Sequence, residues 1–453
     1  MLMLLTIVLT CFSSAPVPTA HASGVIYVKP GGAGTQDGLS WANAKNLAAA
    51  LGAATTGDEL WVATGTYTPT VRTNPAASRS ATFTLLNGVA IYGGFAGIDT
   101  ETLATRDWTT NVVTLSGDIG NVGLSTDNSY NVVTGATGAT LDGVTISEGN
   151  ADMGSGCPGT ICGGGMYNYG SSPTLTNVTF RGNRAVSGGG MSNGGGSSPT
   201  LTNVTFNGNS ASFNGGGMYN YSSSPTLINV TFSGNDSSSN GGGMDNSSSS
   251  PTLTNVTFSG NRSSASGGGM SNDVGSNPTL TNVTFSGNRA STSGGGMSNI
   301  TNSNPQIRNS IIWGNTATTD ANLSNSTSTP SFSTTLMQGS GGSGGWVAIF
   351  GTDGGGNLDS ESKFVTPIAA TSAPTTTGDY RLQATSPAIN TGDNTVITTT
   401  TDLDGNSRIS GGTVDMGAYE LQFPPTVQSI VRADPNPSTP RDNLNRIAIQ
   451  GSA

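Results

Sequence analysis

Asp142, Glu148 and Asp152 lie close together in the chain, with Arg181 nearby. Two carboxylates on either side of a glycosidic bond, one protonated and one ionised, are what hydrolysis of that bond needs. These three acids are therefore the candidate catalytic group, although the same residues equally suit solvated turns. Asp402-Leu403-Asp404-Gly405-Asn406 is a candidate metal loop. Its oxygen donors alternate as at the start of a calcium loop, which makes Ca²⁺ the one cofactor with donors in place. No Glu follows at the distance of a bidentate closing ligand, and an Asp/Gly β-turn uses the same residues. Cys157 and Cys162, in Cys-Pro-Gly-Thr-Ile-Cys, form the third candidate group.

What those groups can do depends on where the chain goes. Residues 2–12 are an apolar run of eleven, too short to span a bilayer, and Ala20-His21-Ala22 is an A-x-A cleavage signature. Residues 1–22 are read as a signal peptide cut before Ser23, so the chain is expected to be secreted or held at the cell surface. The only histidine, His21, leaves with that segment. Ser-His-Asp triads and His-ligated zinc are thereby excluded from the mature protein. In an oxidising compartment Cys157 and Cys162 are expected to close a small disulfide loop, with two free thiols as the alternative. Their spacing is not Cys-x-x-Cys, which argues against a redox or metal pair.

Composition narrows the partners. The formal net charge is −10 and no basic stripe appears, so nucleic acid is not an expected partner. Hydrophobic residues make up 33%, charged residues 9%, and glycine contributes 67 positions. A thick globular core is not expected from this balance. A narrow coil with a few inward side chains per turn is.

The element that must position everything else is a repeat. Pro173, Pro199, Pro225, Pro251, Pro278 and Pro305 are spaced 26, 26, 26, 27 and 27 residues apart. Each belongs to one phrase: Gly-Gly-Gly-Met, a polar loop, Pro-Thr-Leu, Asn-Val-Thr-Phe, Gly-Asn. A period of this length without helical pattern means stacked coils. Val178 and Phe180 share a strand face, but Leu175 sits at an odd spacing from Val178 and would point outward. A sharp bend at Asn177 returns Leu175 to the interior, since Asn is the non-glycine residue that best tolerates positive φ. Gly143 holds the equivalent place in Leu141-Asp142-Gly143-Val144-Thr145-Ile146. Three strands per coil, paired in parallel with the coils above and below, predict ladders of Met, of Phe and of the bend Asn. The Gly-Gly-Gly runs either turn a tight corner or present a flat face to a glycan or protein.

The first end of the stack needs a cover. A helix from Trp41 to about Ala54, N-capped by Ser40, suits that role. The expected order is signal peptide 1–22, cap and first coil 23–70, irregular coils 71–162, regular repeats 163–330, C-terminal coils 331–421, and a linker or truncated tail 422–453.

The repeats resemble the right-handed parallel β-helix family, and in particular polymorphic outer membrane protein repeats. The Phe-x-x-Asn motif of that group stands here at Phe180/Asn183, Phe206/Asn209, Phe232/Asn235, Phe258/Asn261 and Phe285/Asn288, with Gly-Gly-Gly-Met in place of Gly-Gly-Ala-hydrophobic. Residues 386–420, from Ser-Pro-Ala-Ile-Asn-Thr-Gly to Asp-Met-Gly-Ala-Tyr-Glu, resemble the choice-of-anchor Q region of secreted bacterial β-helix proteins. The resemblance implies an all-β, single-stranded, pectin-lyase-like solenoid with an N-terminal capping helix. It also implies an extracellular rod, adhesive or structural, with a polysaccharide or cell-surface glycan or protein as partner and no membrane span. The same fold carries polysaccharide lyases and glycoside hydrolases, the competing expectation. Asp236, Asp245 and Asp273 are read as isolated acids within the repeats, and function is expected in the irregular coils around Asp118 to Cys162 and in the C-terminal region.

Overall fold

The computed structural model describes residues 24–153 and 162–423. The expected signal peptide, His21 and Cys157 lie outside them. Consecutive coils pair in parallel, strand on strand, with like residues opposite like: Leu201 faces Leu227, Val204 faces Val230 and Phe206 faces Phe232. The Phe rings from Phe180 to Phe285 stack face to face, with centroids 4.6 to 4.8 Å apart. The ring spacing is the strand spacing, so each Phe fills one layer of a core that is one coil thick.

The Asn bend has the predicted geometry. Asn177, Asn203, Asn229, Asn255, Asn282 and Asn309 all have φ between 47° and 56°, and Gly143 has φ 73°. In the middle coils the backbone pairing runs straight through this bend, giving eight-residue strands such as Thr200–Asn207 and Thr226–Ser233. A further short strand per coil, Arg184–Ala185 and its equivalents, forms a six-stranded sheet absent from the expectation. The Gly-Gly-Gly run is a buried corner and not an exposed face. A Cβ at Gly190 would lie 2.6 Å from the Gly217 carbonyl oxygen and 2.7 Å from the Phe206 ring.

Two further asparagine ladders run through the interior. Asn183, Asn209, Asn235, Asn261 and Asn288 are fully buried. Each Nδ2 donates to the next Oδ1 at 2.9 to 3.0 Å and to a carbonyl one coil back, Ile146 for Asn183 and a Phe for the others, as Asn235 does to Phe206. Asn168, Asn193, Asn220, Asn246, Asn272 and Asn299 form the other, with bonds of 2.8 to 2.9 Å. Stacking lets these buried amides bond one another in columns.

The N-terminal cap departs from expectation. Trp41–Asn43 is a single 3₁₀ turn, and the α-helix covers only Leu47–Ala53. Ser40 makes no cap; the Asn46 side chain accepts the Ala49 N–H at 2.9 Å instead. The reason is strand pairing: Lys45 is drawn into an extended bridge with Val28, which breaks the helix before it starts. Trp41 packs on Tyr27 and Phe95, while Leu47, Ala50 and Leu51 close the first coil.

The C-terminal region folds back along the flank of the stack. A small antiparallel pair, Phe364–Thr366 with Asp379–Leu382, packs with Ala388 and Met416 against Ile311 and Leu336. The Gly417 N–H then reaches the Asn309 carbonyl at 2.7 Å, and the Ala418 N–H reaches the Thr284 hydroxyl at 3.1 Å. Coils from Asn255 to Asn309 are covered on their bend side, while coils from Asn177 to Asn229 are open. Among the described residues no helix is long and apolar enough to cross a membrane.

Candidate functional site

The strand that begins with the repeated Met alternates strictly. Met166 and Asn168 point in and are fully buried; Tyr167 and Tyr169 point out. Stacking the coils therefore builds an outer face from the alternate positions. One column runs Tyr167, Ser192, Tyr219, Asp245, Ser271 and Ser298. The neighbouring column runs Tyr169, Gly194, then Tyr221, Ser247 and Asp273. The Tyr167 and Tyr169 rings lie nearly parallel, 6.3 Å between centroids. Tyr169 leans over the next coil, where Gly194 has no side chain: a Cβ there would lie 3.3 Å from the ring. Tyr169 is 56% exposed and Tyr221 49%, so two aromatic platforms stand two coils apart with a coil of small residues between them.

Two acids occupy the same face. Asp245 is nearly buried, and burial pushes its carboxyl up to about 7. The Ser271 hydroxyl pulls in the opposite direction, and the Asp273 charge pushes further up. The Tyr219 hydroxyl is pushed up to about 12, first by burial and then by Asp245 and Tyr221. The reading of Asp245 and Asp273 as isolated acids is thus corrected. Each stands where the other coils carry Ser, Tyr or another uncharged residue, and stacking brings the two within electrostatic reach. Asp236 sits on a different sheet and is bound by Arg262 through two hydrogen bonds of 2.7 and 2.5 Å. A carboxyl pushed up to about 7 can exchange a proton near neutral pH.

The acids singled out from sequence do not assemble. Asp142 forms a 2.6 Å ion pair with Arg106, both largely buried, and accepts a hydrogen bond from Asn177. Arg106 is further fixed by the Gly93 carbonyl and by the rings of Tyr92 and Trp108. Asp152 pairs with Arg79 at 2.8 Å and accepts from Asn150. Glu148 lies exposed on a turn with φ 61°. Asp142 and Asp152 are each paired with an arginine of their own, while Glu148 is exposed.

The Asp402 loop is likewise a turn and not a calcium cradle. One Asp402 oxygen accepts the Asp404 and Asn406 N–H groups and the other accepts Glu420 N–H. Asp404 is gripped by Arg381 at 2.6 and 2.8 Å. The donors thus face N–H groups and a guanidinium in place of a common centre. Among the described residues no cluster of three or more His, Cys, Asp or Glu is arranged to hold a metal ion. Cys162 is buried and disulfide-bonded; Cys157, its expected partner, lies outside the described residues.

Known proteins share this architecture more than this sequence. A family model described as "Right handed beta helix region" matches residues 164–335. No curated protein matches the sequence significantly. Among solved structures, the crystal structure of pectate lyase Pel9A is similar over 88% of this chain and 97% of its own, at 16% identity and a TM-score of 0.52. A rhamnogalacturonan lyase aligns over 76% of this chain and 91% of its own, at 10% identity and a TM-score of 0.38. With the parallel register and the matched repeats, the likeness to pectate lyase Pel9A makes the fold an all-β, right-handed parallel β-helix of about ten coils.

Proposed function

We propose that the protein is an exported, cell-surface β-helix whose outer Met-strand face binds a glycan, giving it an adhesive role. The observation that carries this reading is the alignment of Tyr169 and Tyr221 on one face, two coils apart, with Gly194 between them. Exposed rings lying flat on a surface suit the apolar face of a pyranose, and the Ser, Tyr and Asp side chains around them suit its hydroxyls. The likeness of the repeats to polymorphic outer membrane protein repeats, and of residues 386–420 to a choice-of-anchor Q region, supports an extracellular place for the rod. Binding to a panel of immobilised polysaccharides tests it. Tyr169→Ala with Tyr221→Ala is expected to weaken the best ligand at least tenfold without lowering the melting temperature; unchanged binding in a folded double variant would sink the reading.

A second reading, polysaccharide cleavage, is favoured by one observation: Asp245 has its carboxyl near 7 beside Tyr219 and Asp273. An acid in that range suits proton transfer at neutral pH. Incubation with acidic and neutral polysaccharides, followed by reducing-end release and by absorbance of unsaturated products, separates the readings. Release that Asp245→Asn abolishes would establish cleavage, and binding without release would leave the adhesive reading.

A further inference from the structure

The bend asparagines are used differently along their column. At the C-terminal end they are buried under residues 391–418 and hold peptide groups of that segment. Asn309 holds both backbone polar groups of one residue, which belong to two successive peptides: its Nδ2 donates to the Asp393 carbonyl at 2.9 Å and its Oδ1 accepts the Asp393 N–H at 2.8 Å. Asn282 Nδ2 donates to the Asp415 and Gly417 carbonyls, and Asn255 Nδ2 donates to the Thr401 carbonyl at 2.8 Å. An asparagine in this column is thus a reader of amide groups.

Three members of the column are left open. Asn203 is exposed, and Asn177 and Asn229 are half-buried. Their mutual bonds, Asn203 to Asn177 and Asn229 to Asn203, are 3.2 Å each, longer than those of the two interior ladders. The open stretch has a wall at each end. On one side stands Trp108, 40% exposed; on the other, Thr399 and Thr401 bond to Asn255. Between Trp108 and the asparagines lies a cavity of about 400 Å³, bordered by Val112 and Thr179.

We infer that this open stretch is a second ligand site, for N-acetylated sugars. The acetamido groups meet the Asn177 and Asn203 amides as the carbonyls of the C-terminal segment meet Asn255 and Asn282, and a sugar ring lies against Trp108. A peptide shares the amide chemistry, but two features favour the sugar. The coil backbone is already hydrogen-bonded to the coils above and below, so no free strand edge awaits a peptide. Trp108 adds a ring face with an apolar neighbour, the surface a pyranose fits. This site is on a different side of the coil from the tyrosine face and does not rest on it.

The test titrates the full chain with the trimer of N-acetylglucosamine and with its de-N-acetylated counterpart, by calorimetry and tryptophan fluorescence. Saturable binding and a fluorescence shift are expected for the acetylated trimer only. Trp108→Ala should weaken it at least tenfold. So should Asn203→Gly, which keeps the positive-φ bend while removing the amide. Tyr221→Ala should leave it unchanged, which separates this site from the tyrosine face. Melting curves confirm that each variant is folded. The inference is overturned by absence of binding at millimolar sugar, by equal binding of the two trimers, by binding that survives both substitutions, or by a Thr-rich peptide binding in place of the sugar.

Discussion

Tyr219 and Asp245 stand opposite one another on adjacent coils, and each sits in a position that disfavours its charge. The pair lies on the outer face, yet Asp245 is only 3% exposed. Buried beside a second acid, its carboxyl stays protonated until about pH 7.

That state makes stability depend on pH in a definite direction. The native Asp245 carboxyl holds its proton up to about 7, while the unfolded one releases it near 3.8. Between those values the native state binds more protons, so unfolding free energy falls as pH rises through the window. Asp245→Asn removes this term. The variant should match the parent near pH 4 and melt above it beyond pH 7, by an amount of the order of a few kcal/mol. Thermal melts at intervals from pH 4 to 8 check this, and a difference curve that stays flat would refute the assigned burial.

Asparagines that look alike in the repeat should respond oppositely to glycine. Asn203 is needed for its φ of 55°, which glycine adopts freely, so Asn203→Gly should cost well under 1 kcal/mol. Asn235 is needed for its amide. It donates to the Phe206 carbonyl and to Asn261, and accepts from Asn209. Asn235→Gly strands several buried groups and should cost about 3 kcal/mol or more. Urea unfolding of the two variants side by side decides it; equal losses would show that the two ladders do the same job.

The phenylalanine column gives the measure of the core. Phe232 is fully buried between Phe206 and Phe258, with centroids 4.7 Å away on both sides. Phe232→Ala should destabilise by about 3 to 5 kcal/mol, and Phe232→Leu by much less, because the coil spacing set by backbone pairing stops the layer collapsing. Denaturant midpoints at constant slope would show it.

Much of this was legible in the chain. The odd spacing between Leu175 and Val178 demanded a bend, and Asn177 and Gly143 alternate there because both tolerate positive φ. The functional face was less legible, for the same reason that the fold was clear. A regular repeat draws the eye to what is constant, whereas Tyr167, Tyr169, Tyr219, Tyr221, Asp245 and Asp273 are departures from it, at positions held elsewhere by Ser, Gly or Ile. The signal was there in the second and fourth residues after each Gly triplet, read down the column. The Asp402 loop and the Asp142 group misled because acid spacing along the chain says nothing of arginines far away in it, such as Arg106 and Arg381. The C-terminal cover was not legible at all. It binds the bend asparagines with its backbone, over separations above eighty residues.

That cover is held together by one buried cation. Arg408 is 1% exposed and donates to the Ala418, Asp415 and Gly417 carbonyls, with Glu420 3.5 Å away. Asp402 and Asp415, also fully buried, contribute further negative charge, and burial raises both carboxyls. Burial likewise pushes Glu420 up to about 7, so the cluster tolerates its acids only with the arginine present. Arg408→Met removes one hydrogen bond from each of three carbonyls and leaves the acids without their cation, a loss of about 3 to 5 kcal/mol confined to the cover. The β-helix core does not use Arg408, so the coils should survive. Limited proteolysis should then cut the variant between residues 364 and 423 while the stack stays intact, and the far-ultraviolet spectrum should keep its strand signal. Cleavage spread evenly along the repeats would instead mean that the cover and the coils unfold as one unit.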